Sequence, residues 1–231
     1  MRKINPTILR EYDIRGIVDK DLFSEDALWL GKAIGTRAAK SEHKKVIIGY
    51  DGRHTSPEMR HFLTEGLIST GIKVIDIGLV PTPMLYYAAQ TIDNDYAIVI
   101  TASHNPSEYN GFKITKAGKS FFGEDIKIIA DEAMKGNFIK GVGSIESVNI
   151  TEQYLNRITE DIIINPDLKV IWDPANGAAA ELNNLLVKKL KGTHKVINNK
   201  VDGSFPSHFP DPTIEENLEQ LKSELKAQKA D

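Results

Sequence analysis

Ser103, His104 and Lys113 set a hydroxyl, an imidazole and an ammonium in one short stretch, Thr101-Ala102-Ser103-His104-Asn105-Pro106-Ser107-Glu108-Tyr109-Asn110-Gly111-Phe112-Lys113. These groups suit nucleophilic or group-transfer chemistry, in which a hydroxyl is attacked or attacks while a neighbour handles its proton. Asn105-Pro106 and Asn110-Gly111 are both turn dipeptides, so the stretch reads as a polar loop pinned at each end. A plain hairpin connection would explain those four residues without any function, since turn chemistry accounts for them fully. It does not explain Ser103-His104 before the turn or Lys113 after it. A serine beside a histidine can also be coincidence, because neighbours on extended chain point to opposite faces.

The elements that would position this loop are legible on either side. Tyr96-Ala97-Ile98-Val99-Ile100 has the length and β-branched content of a buried strand, predicted over residues 96–101. The loop therefore begins at the carboxyl end of a strand, where open α/β sheets place their ligands. The tight turn after it predicts a short antiparallel strand, Phe112-Lys113-Ile114-Thr115.

The run T-A-S-H-N-P-S-E-Y-N-G-F-K resembles the active-serine loop of the α-D-phosphohexomutases, in which the serine carries a phosphoryl group and exchanges it with a hexose phosphate. It is most similar to the phosphomannomutase/phosphoglucomutase branch. Tyr109 and Phe112 stand where phosphoglucosamine mutases usually read Asp-Asn-Gly-Ile-Lys. The resemblance implies Ser103 as the phosphoryl carrier and, once phosphorylated, as a ligand of Mg2+. It also implies Lys113 as general acid/base, and His104 and Asn105 as partners of the phosphate or the sugar hydroxyl. A lysine in that role needs a cationic neighbour or burial. Glu11-Tyr12-Asp13-Ile14-Arg15-Gly16 resembles the family's amino-terminal signature, which implies that Tyr12 and Arg15 reach the serine loop from a neighbouring strand. Read alone, Arg15 is a surface arginine; as a phosphoryl ligand, its fork offers paired donors with fixed charge. The implied substrates are hexose 1- and 6-phosphates (mannose, glucose or both), turned over through a bisphosphorylated sugar.

The rest of the chain alternates strand and helix. Helix signals cover residues 24–40, with Ser24 as a cap, Glu25-Asp26 in the first turn and Leu28, Trp29, Ala33 and Ile34 on one face. Strands are predicted at 46–50 and 73–78. Ser56 and Thr82 read as caps of the helices that follow, with Pro57 and Pro83 at the first helical positions. Asp51-Gly52-Arg53, between strand and helix, could bind an anion at the helix start or do nothing more than turn. It too resembles a family segment, Asp-Gly-Arg-x-x-Ser, with Arg53 in a supporting role. A helix is predicted over 124–134. This order implies α/β architecture: two three-layer α/β domains with mixed, largely parallel sheets. The boundary falls near residue 147, giving domains 1–147 and 148–231.

The second domain opens with Thr151 capping a helix striped by Tyr154, Leu155, Ile158 and Ile162. A strand over 169–173, a helix over 178–191, a strand over 195–197, a Pro-rich connection and a helix capped by Thr213 and running to about Ala227 follow. Asp-Pro-x-Asn-Gly-Ala and Pro-Asp-Pro-x-x-x-Glu-Asn-Leu resemble second-domain segments of the family. One family feature has no match: the acidic magnesium loop Asp-Gly-Asp-x-Asp-Arg. Asp202-Gly203-Ser204 lacks its other acids and its arginine. The expectation is an amino-terminal fragment without the family's third and fourth domains, holding Mg2+ only through Ser103 and inactive by itself.

Composition bounds the remaining classes. A net charge of -3, with basic residues scattered, gives no case for nucleic acid. No run approaches the roughly 20 apolar residues of a membrane span, and the charged N-terminus leads into no apolar segment. The absence of cysteine excludes disulfides, thiolate zinc sites and a thiol nucleophile, and fits a cytoplasmic protein. Two rivals to the mutase reading are a serine hydrolase, which would lack the G-x-S-x-G elbow, and a non-catalytic sugar-phosphate-binding module.

Overall fold

The computed structural model describes residues 3–163 and 166–231. It divides into two compact units, residues 1–102 with 108–149, and residues 103–107 with 150–231. No helix among the described residues is long and apolar enough to cross a membrane.

The first unit is built on a mixed sheet. Its strands are β1 (Ile14–Ile17), β2 (Lys45–Tyr50), β3 (Lys73–Leu79), β4 (Tyr96–Ile100), β5 (Tyr109–Lys116), β6 (Lys119–Ser120) and β7 (Ser144–Ser147). They lie in the order β1-β5-β4-β2-β3-β7, with β6 beside β5. The β4-β2-β3-β7 pairings are parallel, and β5 runs antiparallel to both β4 and β1. Four helices cover it: α1 (Ser24–Ala38), α2 (Ser56–Ile68), α3 (Thr82–Thr91) and α4 (Glu124–Lys135). Strand alternation divides the faces. Val46, Ile48, Ile98 and Ile100 join one apolar cluster with Leu30 and Ile34 of α1, Leu63 and Leu67 of α2 and Ile129 of α4. Ile47, Ala97 and Val99 stand at the alternate positions and are equally buried, as are Met84 and Leu85 of α3. Helix, sheet and helix thus form three layers.

The second unit carries α5 (Thr151–Thr159), β8 (Lys169–Trp172), α6 (Ala180–Leu186), β9 (Thr193–Val196) and α7 (Glu219–Gln228). β8 and β9 form a two-stranded parallel sheet.

Several local expectations change. Asn110-Gly111 is not a turn but part of β5, which runs eight residues rather than four. Gly111 lies opposite Arg15, and a Cβ there would sit 1.9 Å from the Ile14 carbonyl oxygen. The glycine serves the close approach of β1 to β5, not a bend. Ser56 and Thr82 are the first residues of their helices, with Thr55 and Pro81 at the caps. The helix expected over 178–191 is confined to α6, because beyond Val187 its bonds tighten to i→i−3, as from Lys189 N–H to the Leu186 carbonyl. Thr213 does not cap α7. Its N–H and hydroxyl bond Asp211, and a 3-10 turn, Glu215–Leu218, intervenes. Ile162 lies past the end of α5 and is exposed.

Candidate active site

β4 is buried at every position, and the burial continues through Thr101 and Ala102. The chain then surfaces: Ser103 and His104 are exposed, and Asn105 is half-buried. Ser103 has φ +54°, in the left-handed region that a residue with a Cβ enters at a cost of about 1–2 kcal/mol. Extended alternation therefore breaks at Ser103, and the opposite-face argument about Ser103 and His104 does not apply. Strain of this kind needs a surrounding structure that over-determines it.

In the first unit, main-chain pins hold the strands that the loop leaves and rejoins. The Asp51 N–H donates to the Ile100 carbonyl, Thr101 N–H to Gly111 and Val18 N–H to Glu108, each at 2.9 Å. A buried polar floor lies beside them. The Asp51 carboxylate accepts from the Ser56 hydroxyl at 2.7 Å and from the Arg53 N–H and Nε at 3.1 Å. Arg53 also donates from Nη1 to the Tyr109 carbonyl, and the Asn110 amide donates to the Thr55 and Ser56 hydroxyls. Asp-Gly-Arg-x-x-Ser is thus a brace for the start of β5. Arg53 is only 1% exposed. Burial pulls its guanidinium below the ordinary arginine value, Asp51 holds it up, and the nearby Arg15 cation lowers it further.

A second cluster gathers three of the expected residues. Asp13, buried just before β1, accepts from Lys113 Nζ at 2.9 Å and from Arg15 Nη2 through the same oxygen, Oδ2. Tyr12 and Lys113 line one cleft of about 400 Å³ with Tyr86, Gln90, Phe121 and Phe122. Tyr12 is 72% exposed, its ring 6.3 Å from that of Phe122. Arginine, lysine and an exposed phenol on adjoining positions can bind a phosphate and hand over protons.

In the second unit, which includes the serine loop, His104 Nε2 lies 4.0 Å from Asp211 Oδ2. The Thr213 hydroxyl and N–H hold the Asp211 carboxyl below the usual carboxylate range, and His104 adds to this. Among the described residues, no group of three or more His, Cys, Asp or Glu side chains could hold a metal ion.

Sequence reasoning missed Asp13, Asp51, Asn110 and Asp211. Asp13 had one signal, its place two residues before Arg15 on alternating chain. Asp211 had its flanking prolines. Asp51 and Asn110 read as turn residues, and only the strand pairing reveals them as floor.

Two family models match the chain: phosphoglucomutase/phosphomannomutase alpha/beta/alpha domain I over residues 6–140, and domain II over residues 152–231. A phosphomannomutase/phosphoglucomutase of Pseudomonas aeruginosa is 40% identical over 97% of this chain and 49% of its own length. A phosphoglucomutase of Neisseria meningitidis is 37% identical over 98% of this chain and 50% of its own. The crystal structure of a phosphoglucomutase/phosphomannomutase family protein from Burkholderia thailandensis superposes with a TM-score of 0.94 at 36% identity, covering 99% of this chain and 52% of that one. The chain spans about half the length of the curated relatives it matches. With both of its units matched to that family's first two domains, the chain belongs to the phosphoglucomutase/phosphomannomutase family.

Proposed function

We propose that the protein containing this chain interconverts hexose 1- and 6-phosphates, mannose or glucose, with Ser103 as the phosphoryl carrier. The observation that supports this most directly is the conformation of Ser103: an exposed residue in a left-handed turn, just past a strand buried throughout. A group held this way is presented to a partner molecule rather than to the core.

The chemistry follows from charge. Phosphoserine carries about −1.5 to −2 charges near neutral pH, so its transfer depends on cations and fixed donors. In the forward step the bond between phosphorus and Ser103 Oγ breaks as one forms to a hydroxyl oxygen of the sugar phosphate. Lys113 relays the proton, giving its own to the departing Ser103 Oγ and regaining one from that hydroxyl. The bisphosphorylated sugar then presents its other phosphoryl group. That group returns to Ser103 Oγ, and Lys113 relays the serine proton to the departing sugar oxygen. Arg15 supplies a fixed charge, and Tyr12, His104 and Asn105 contribute hydrogen bonds to phosphate or sugar.

Magnesium would neutralise phosphoryl charge when bound. Phosphorylated Ser103 would be a ligand for it, and the described residues form no group of three or more His, Cys, Asp or Glu that fits the ion. No step above runs through it. The domain assignment, 1–147 for the serine-bearing half and 148–231 for the second, and a cytoplasmic setting belong to the same reading.

The test is phosphoryl transfer to this chain from glucose 1,6-bisphosphate, read by intact mass and peptide fragmentation. One phosphoryl group on Ser103, absent from Ser103→Ala, is expected. The full-length protein should convert glucose 1-phosphate to glucose 6-phosphate, and Ser103→Ala should not. Phosphate on another residue, or turnover that survives Ser103→Ala, overturns the reading. Labelling of Ser103 by a fluorophosphonate would point instead to a hydrolase.

A further inference from the structure

We propose that Asp13 is a positioning residue of this site, a tether that fixes the Lys113 ammonium and the Arg15 fork before any phosphate arrives. This rests on the mutase reading above and assigns a residue that reading leaves without a role.

The β1–β5 register pairs Ile14 with Phe112 and Arg15 with Gly111. The same register carried back one position puts Asp13 opposite Lys113. Cross-strand neighbours on one face stand about 4.5–5.5 Å apart at Cβ, within reach of each other's side chains. Asp13 is 6% exposed, and the Lys113 and Arg15 side chains are 22% and 19% exposed. The carboxylate is thus at the bottom and the two cations at the rim. Both cations meet at one oxygen, Oδ2.

Lysine and arginine side chains are among the richest in rotamer entropy, which a binding event must otherwise remove. A buried carboxylate that has already removed it lets the cations act without rearrangement, which is where electrostatic catalysis draws its effect. A carboxylate present only to satisfy the core would have no reason to hold a lysine whose side chain also lines the cleft. Through the tether Asp13 touches neither substrate nor phosphate; it acts through Lys113 and Arg15.

The experiment has two arms on the same variants, Asp13→Asn and Asp13→Glu. The first maps amine acylation of this chain by acetyl N-hydroxysuccinimide, with exposed Lys127 as internal reference. Lys113 should be slow in the wild type and several-fold faster in Asp13→Asn, with Lys127 unchanged. The second measures turnover in the full-length protein. Asp13→Asn should lower kcat by about ten- to a hundredfold, a misplacement effect, with a smaller change in KM. Asp13→Glu, which keeps the charge, should recover part of both. Asp13→Asn in a Lys113→Met background should cost little more than Lys113→Met alone. Unchanged Lys113 acylation in a folded Asp13→Asn protein overturns the tether, and so does full additivity with Lys113→Met. Faster acylation with normal kcat reduces Asp13 to a fold-holding residue and overturns its catalytic positioning. If Asp13→Asn does not fold, Asp13→Ser takes its place, and Lys113 acylation unchanged from wild type in that variant overturns the proposal as well. Failure of the mutase reading looks different: no phosphoserine forms on the wild type, whatever the acylation arm reports.

Discussion

The two units hold themselves together by different means. In the first, β4 is buried at every position, and helices from both faces close on the sheet. In the second, the buried apolar residues among those described are Ile150, Leu155 and Ala180, while Ile162, Ile163, Leu185, Phe209 and Ile214 are exposed. Its order comes from polar loops. Asp173 accepts from the Ala175 N–H and the Asn198 amide and pairs with His208 Nε2 at 2.9 Å, and the Asn176 amide donates to the Lys200 carbonyl. A buried aliphatic side chain contributes about 1.5–3 kcal/mol and a net hydrogen bond about 0.5–1.5. The first unit is therefore the stiffer scaffold. It also holds Arg15 and Lys113, while residues 103–107 belong to the softer unit.

The largest effect that could break this comparison is a difference in amide exchange. Helix α5 and strands β8 and β9 should exchange at least roughly a hundredfold faster than β4, corresponding to a gap of about 3 kcal/mol in opening free energy. Equal protection would remove the distinction. Comparable in size is the effect of Arg53→Leu. It leaves Asp51, 13% exposed, without its cation, and a broken buried pair costs about 3–5 kcal/mol. Urea denaturation followed by tryptophan fluorescence should show the loss in the unit that holds Trp29, with the Trp172 signal of the other unit little changed. Loss of both together would mean that the units unfold as one.

Gly111→Ala tests the same scaffold more locally. The new Cβ meets backbone, the Ile14 carbonyl at 1.9 Å, which cannot rotate away. Overpacking of this kind costs about 1–3 kcal/mol, and here it also loosens the bond from Thr101 N–H to the Gly111 carbonyl. The expected result is a lower melting temperature together with less phosphorylation of Ser103. A stable variant with normal phosphorylation would show that the loop does not depend on the β1–β5 contact.

How much of this could be read in advance depended on how local the cause was. Tyr96–Ile100 declared itself as a buried strand because a run of apolar, β-branched residues has few other homes, and the loop at its end followed. Family resemblance then singled out Tyr12, Arg15 and Lys113, which the structure gathers around Asp13 and one cleft. Asn110-Gly111 misled because the composition that makes a turn also makes a close strand contact with a buried amide. Asp13 went unseen because its role depends on register with β5, a hundred residues away, and nothing local encodes that register. Helix α6 came out shorter than its Ala- and Leu-rich sequence suggested, since propensity yields to the bonds the following residues make.

The smallest effect sharpens the comparison by pH. Arg37 at the end of α1 donates from Nε to Glu132 of α4 at 2.7 Å and from Nη2 at 3.0 Å, a two-point tie between helices of the first unit. This bond holds the Glu132 carboxyl below its ordinary value, against a weaker opposing push from burial. A carboxyl whose folded value is depressed stabilises the fold at pH above its unfolded value, and the contribution is lost as pH falls through the folded one. Glu132→Gln should therefore lower the melting temperature of the first unit at neutral pH. The difference from wild type should shrink as the pH falls below the ordinary glutamate range, where the wild-type carboxyl also takes up its proton. The pair is partly exposed, 25% and 39%, so the effect stays within about 1 kcal/mol. A difference that persists unchanged in acid would assign the tie to packing between α1 and α4 rather than to charge. In that case burial would hold the first unit together even at a helix contact where a carboxylate and a guanidinium meet.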